Sequence, residues 1–224
     1  MPDVTNIVGR PFPFKQNRCR TERQTCFVTL FCKQLQTRAG ARTLSLMHRL
    51  FVGLRPPPAI RKLLIDTMGG VPGARWQSDE QLHLTLRFVG ELDRRTAEDA
   101  AHALASVYAA PIELRIDGVG RFESRGRANA LWAGVRPHDA VTALHKKVDQ
   151  ALVRVGLVPE RRAYLPHVTV ARLGSASGPT DRWLADHAGL ASQPFTLSHF
   201  MLFESYLGQG GASYEAVERY PFGG

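Results

Sequence analysis

The chain has 224 residues, 44% hydrophobic and 22% charged, with 29 Lys and Arg against 20 Asp and Glu. Those figures exclude collagen-like, low-complexity and disulfide-scaffold classes, and no apolar run reaches the ~18 residues of a membrane span. The net charge of +9 points to a polyanionic partner. Residues 1–46 alone hold eight basic side chains against Asp3 and Glu22, together with all three cysteines, Cys19, Cys26 and Cys32.

That first segment shows no sustained period of 2 or 3.6. A secretory signal does not fit, because the apolar stretch Phe27–Cys32 is too short and lies too far inside. An organelle transit peptide fits the Arg-rich, acid-poor composition. The reading adopted is a disordered basic extension, with the working start at Met47. The rest of the chain has no cysteine and therefore no disulfide framework, so a reducing cytoplasm is expected.

From Met47 the elements follow in order. Residues 48–54 (HRLFVGL) read as a strand. Pro56–Pro58 open a helix over 57–68 with Ile60, Leu63 and Leu64 on one face. Residues 81–89 (QLHLTLRFV) alternate as a strand. Thr96 with Asp99 gives a capping-box-like start to a helix over 96–108. A strand at 112–121, a loop FESRGRAN and a strand at 130–135 come next. Asp139 caps a helix over 139–155 carrying Val141, Leu144, Val148, Leu152 and Val155 at helical spacing. A strand at 164–173 and a short helix at 181–187 follow, then strands near 195–206 and 212–219 joined by LGQGG.

Laid side by side, residues 48–121 and 130–219 repeat one order of elements, which points to an internal duplication. The third element of each half carries a matching tetrad, His83-Leu84-Thr85-Leu86 and His167-Val168-Thr169-Val170. Side chains alternate along a strand. Leu82, Leu84, Leu86 and Phe88 are therefore expected in the core, as are Val168 and Val170. His83 and Thr85 share the other face, and His167 and Thr169 do the same, so the tetrads are expected to face each other across a central cleft.

Two imidazoles and two hydroxyls on rigid strands suit phosphodiester chemistry without a metal. One neutral imidazole takes a proton from water while the other, protonated, supplies one to the departing oxygen. Hydroxyls and a nearby cation hold the charge that develops on phosphoryl oxygens. Two histidines are too few for most zinc sites, and no carboxylate or cysteine stands at ligand spacing around either tetrad. Histidines 48, 102, 138, 145, 187 and 199 stand singly and read as structural or solvated. Arg87 is expected on the His83 face as a candidate cation, or as a solvated rim residue. Arg125 and Arg127 are solvated loop residues or reach the backbone of a polyanionic partner.

Residues 48–220 resemble the 2H phosphoesterase superfamily, specifically the RNA 2′,3′-cyclic phosphodiesterases formerly called 2′-5′ RNA ligases. The resemblance is carried by RLFVGLRPP, LHLTLRFVGEL, GVGRFESRGRANALWAGV, LPHVTVARL and FMLFESYLGQGGASYEAVERYPF. It implies an α+β fold of two pseudo-symmetric lobes, each an antiparallel sheet with helices outside, around the cleft. It further implies hydrolysis of an RNA 2′,3′-cyclic phosphate to a 2′-phosphate, with no metal and no cofactor. In that assignment His83 is the proton donor to the 3′ oxygen and His167 the proton acceptor acting on water, although the duplication alone makes the two near-equivalent. Thr85 and Thr169 bind phosphate oxygens.

Arg172 matches a phosphate-contacting arginine. Strict alternation would place it opposite His167, so the strand must bulge or end by Ala171. Phe88 matches an aromatic that stacks on the nucleobase, against the core position that alternation gives it. The expected partner is RNA or a nucleotide with a cyclic phosphate end, with no membrane, and the expected state is a monomer. Two other readings stand beside this one: 2′–5′ RNA ligation at the same site, and a non-catalytic RNA-binding module.

Overall fold

The alternation and helical spacing resolve, in a computed structural model that describes residues 47–208 and 211–223, into nine strands and four α-helices among the described residues. The basic segment 1–46, with its three cysteines, lies outside them. Strand β1 (Met47–Leu54) leads into helix α1 (Pro58–Ile65), which has Pro58 in its first turn and buries Ile60 and Leu64. The two-residue strand β2 (Arg75–Trp76) and a 3₁₀ turn (Asp79–Gln81) precede β3 (Leu84–Asp93). Helix α2 (Arg94–Ala105) starts two residues earlier than the Thr96–Asp99 pattern predicts. Its N-cap is Asp93, whose carboxylate accepts from the Thr96 backbone N–H at 3.0 Å.

Strands β4 (Ile112–Ser124) and β5 (Arg127–Arg136) continue through most of the stretch read as a loop. Arg125 and Gly126 close the hairpin with φ of 52° and 73°. A two-residue turn with both φ values positive matches the twist of its flanking strands, and Arg-Gly is a less conspicuous form of it than Asn-Gly. Helix α3 (Asp139–Arg154), strand β6 (His167–Arg172), helix α4 (Asp181–Asp186) and strands β7 (Phe195–Leu197), β8 (His199–Gly208) and β9 (Gly211–Pro221) complete the chain.

All strands join one curled antiparallel sheet in the order β7-β4-β5-β6-β3-β1-β8-β9, with β2 on the free edge of β6. The order shows an exchange. Strand β4, fifth element of the first repeat, pairs with β5 and β7 of the second, while β8 from the second repeat pairs with β1. The two parts of the sheet meet at one registered pair, Leu84 opposite Val168.

The helices cover one face. Ala97, Ala100, Ala101 and Leu104 of α2 and Val141, Leu144, Val148 and Leu152 of α3 are buried with Leu82, Leu84, Leu86, Val168 and Val170 in one core. The alanine stripe lets α2 approach closely, and each core leucine would cost about 2–5 kcal/mol if cut to alanine. Phe51 and Phe203 are each only 3% exposed, yet they stand outside that core. They stack on one another, with centroids 4.9 Å apart, on the opposite, open face of the sheet.

Candidate functional site

The register of Leu84 against Val168 sets the geometry of the tetrads. Both residues point into the core, so the residues flanking them point to the open face. In an antiparallel pair this register sets His83 towards Thr169 and Thr85 towards His167. A local two-fold axis through the Leu84–Val168 pair therefore relates the two imidazoles and the two hydroxyls. All four side chains are partly exposed between buried neighbours.

Both imidazoles are held in the same way. His83 Nδ1 lies 2.7 Å from the Gln81 carbonyl, and His167 Nδ1 lies 2.7 Å from the Leu165 carbonyl. A carbonyl can only accept, so each Nδ1 carries the proton and donates it. Each Nε2 is left as the group that takes or gives a proton.

Aromatic rings wall the two histidines. His83 packs beside Phe51 at 4.6 Å and meets the edge of Tyr214 at 5.1 Å, with Phe203 at 6.0 Å. His167 meets Phe122 edge-on at 4.7 Å, with Trp132 at 6.2 Å. The Trp132 ring lies over Gly120, where any side chain would collide with it. These walls remove water, so burial pushes the pKa of His83 down from 6.5 to about 4, opposed by its bond to the Gln81 carbonyl. The charge of Arg172 and the presence of His167 add to the depression. His167 is lowered by burial first and by Arg172 as well.

Each tetrad ends in a β-bulge at the same position. Val52 faces Arg87 and Gly53 faces Thr85, which leaves Leu86 as the extra residue. Leu131 faces Ala171 and Trp132 faces Thr169, which leaves Val170 extra. The bulge at Val170 turns Ala171 into the core and brings Arg172 back to the His167 face, where its charge lowers the pKa of both imidazoles. The bulge at Leu86 does the same for Phe88, the equivalent residue. Phe88 is 56% exposed rather than in the core, with its ring 6.2 Å from Phe51. Simple alternation fails there because one residue has been inserted.

The bulge also corrects the expectation for Arg87. Its side chain turns away from His83 and is held by Asp149 of α3 at 2.7 Å and by Glu160 at 3.6 Å, with 10% of it exposed. Its charge is therefore neutralised outside the site. Arg125 and Arg127 stand at the tip of the β4–β5 hairpin, where Arg127 donates to the Ser175 carbonyl at 3.0 Å.

Several supporting residues have no visible sequence signal. Past Leu84 the edge of β3 loses its strand partner, and its carbonyls are taken by side chains. Tyr164 Oη donates to the Thr85 carbonyl at 3.0 Å, and His145 Nδ1 donates to the Leu86 carbonyl at 2.7 Å. The two rings stack at 4.0 Å, and burial pushes the Tyr164 hydroxyl well above its ordinary pKa. On β6, the bulge carbonyl of Val170 accepts from the Gln77 N–H at 2.9 Å. The other lone histidines include His48, hydrogen-bonded to Glu204 at 2.8 Å, and His102, bonded to the Glu98 carbonyl at 2.9 Å. Among the described residues, no group of three or more His, Cys, Asp or Glu is arranged to hold a metal, and no helix is long and apolar enough to cross a membrane.

The fold and sequence have known relatives. An RNA 2′,3′-cyclic phosphodiesterase of Methanocaldococcus jannaschii is 24% identical over 177 residues, 77% of this chain and 99% of that protein. One from Geobacillus stearothermophilus is 27% identical over 165 residues, 73% of this chain, and this chain spans only 52% of its length. The fold matches that of E. coli LigT complexed with 3′-AMP, with a TM-score of 0.65 at 21% identity, over 80% of this chain and 99% of that one. TT0787 of Thermus thermophilus aligns with a TM-score of 0.65 at 21% identity, over 78% and 97%. The sequence profile of the 2′-5′ RNA ligase superfamily matches residues 56–208. With the profile covering more than half of its length, the chain belongs to the 2′-5′ RNA ligase superfamily of 2H phosphoesterases.

Proposed function

We propose that this chain hydrolyses the 2′,3′-cyclic phosphate at an RNA end to a 2′-phosphate, by acid–base catalysis at two histidines and without a metal. The observation that carries this is the symmetric pair of imidazoles, each with Nδ1 tied to a carbonyl and Nε2 left for proton transfer. The names of the relatives from M. jannaschii and G. stearothermophilus support the same reading.

In the proposed reaction, His167 Nε2 accepts a proton from water as the water oxygen bonds to phosphorus. The bond from phosphorus to the 3′ oxygen breaks, and His83 Nε2 gives that oxygen its proton. The products are a 2′-phosphomonoester and a free 3′-hydroxyl. Each proton transfer contributes about 10²–10⁴-fold. Thr85 and Thr169 hydrogen-bond the phosphoryl oxygens and Arg172 balances their charge. Phe88, exposed beside Phe51, receives the terminal base.

With burial holding its pKa at about 4, His83 by itself is neutral at pH 7. Its donor form depends on the negative charge of the bound phosphate, which offsets Arg172 and the loss of water. All of these groups come from one chain, so a monomer suffices.

The test is incubation of the full chain, in EDTA, with an oligoribonucleotide ending in a 2′,3′-cyclic phosphate. A 2′-phosphate end is expected. No product, product that disappears on chelation, or a 3′-phosphate end would overturn the proposal. Adding a second RNA with a 5′-hydroxyl measures ligation, in which that hydroxyl replaces water as the group that bonds to phosphorus and the same two histidines move the protons.

A further inference from the structure

Arg75 and Arg172 face each other across the β2–β6 pair. Facing residues of an antiparallel pair put their side chains on the same side of the sheet. Ala171, the chain neighbour of Arg172, is buried in the core, so the two arginines lie on the open face. The neighbour of Arg75 goes the other way, as alternation requires: Trp76 packs against the core, 6.2 Å from Trp183.

Seven other arginines among the described residues are held in ion pairs. Arg55 and Arg61 hold Asp79, Arg87 holds Asp149, Arg121 holds Asp181, and Arg136 holds Asp117. Arg75 and Arg172 are exposed, and neither has a carboxylate within ion-pair distance among the described residues. Like charges directly opposite one another destabilise a strand pair. Here two arginines face each other on a strand only two residues long, next to the strand that carries His167 and Thr169. The Arg75 guanidinium runs out towards Gly211 at the start of β9, where a Cβ would lie 3.1 Å from Nη1. It therefore adds a second positive group beside Arg172 on that face.

We infer that Arg75 forms a second phosphate subsite, which holds the phosphodiester on the 5′ side of the terminal nucleotide and so favours an oligonucleotide over a nucleoside cyclic phosphate. This rests on the proposed function. With the terminal phosphate at the tetrads and Arg172, the next anion of an RNA strand is that phosphodiester. A nucleoside 2′,3′-cyclic phosphate has no such group and leaves Arg75 unused.

The experiment compares adenosine 2′,3′-cyclic phosphate with a trinucleotide carrying the same cyclic end, on the wild type, Arg75→Gln and Arg75→Lys. For Arg75→Gln, kcat/KM on the trinucleotide should fall about tenfold through KM, while the nucleoside changes less than about twofold. The slope of log(kcat/KM) against log salt should lose about 0.7, the share of one single-strand phosphate contact. Arg75→Lys should recover most of the loss. Equal losses on both substrates would place Arg75 on the terminal phosphate, and no loss on either would make it a solvated residue; both results overturn the inference.

Binding of a fluorescent trinucleotide with a 2′-phosphate end supplies an arm that needs no turnover. If the wild type hydrolyses neither substrate, the proposed function fails, and this arm still decides the subsite. A tenfold weaker Kd for Arg75→Gln supports it, and an unchanged Kd overturns it.

Discussion

The aromatic wall around His83 makes a quantitative claim about acid stability. In an unfolded chain the imidazole titrates near 6.5, whereas in the folded chain burial holds it at about 4. Above pH 6.5 neither state binds the proton, and the group contributes nothing to the pH dependence. As pH falls from 6.5 towards 4 the unfolded state gains a proton that the folded state refuses, so stability is lost. Each tenfold difference in proton affinity is worth about 1.4 kcal/mol. The whole effect is then about 3 kcal/mol, of which about 2.5 kcal/mol has been lost by about pH 4.5.

His83→Asn keeps an N–H for the Gln81 carbonyl and removes the titration. Its cavity beside Phe51 costs stability equally at both pH values and cancels in the difference. Urea unfolding at about pH 7 and about pH 4.5, followed by the fluorescence of Trp76, Trp132 and Trp183, should show the wild type losing about 2–3 kcal/mol more than the variant. Parallel losses, within about 0.5 kcal/mol, would mean that His83 is hydrated and the depressed pKa is wrong.

Three further outcomes follow from the same geometry. A substrate with sulfur in place of the bridging 3′ oxygen has a leaving thiolate that needs no proton, so it should restore turnover to His83→Ala and not to His167→Ala; the reverse pattern would exchange the two roles. Tyr164→Phe removes the donor to the Thr85 carbonyl, should cost about 1–3 kcal/mol in a urea melt, and should lower kcat with little change in KM. A loss of stability with kcat intact would show that Thr85 is placed without it. Arg87→Met strands Asp149 and Glu160 and should destabilise by about 2 kcal/mol, with KM unaltered. A raised KM at full stability would return Arg87 to the site.

The tetrads were legible because their chemistry and their period coincide: His-x-Thr with apolar residues between can only present both polar groups on one face. The partners of that face were not. Alternation alone misplaces Phe88 and Arg87, because a bulge adds one residue without changing composition and the periodicity of QLHLTLRFV does not reveal it, whereas the resemblance keeps Phe88 out of the core. For Arg172 the conflict between alternation and the resemblance itself signalled a bulge, now seen at Val170. Arg75 sits on a strand of two residues, too short for any period. Tyr164 and His145 meet only in three dimensions, on a loop and a helix 19 residues apart. The exchange of β4 and β8 was equally hidden, since a duplicated order of elements says nothing about which sheet the last strand enters.

That exchange governs when the site can exist during synthesis. The first histidine is made early together with Phe51, but the other two rings that wall it, Phe203 and Tyr214, belong to the last two strands. Strand β1 likewise waits for β8 to complete its hydrogen bonds. Contacts across such sequence distances form late, so the emerging chain carries both histidines well before it carries a working pair. Loss of the last twenty residues would spare every residue of both tetrads and Arg172, yet strip Tyr214 from the wall of His83 and β9 from the sheet.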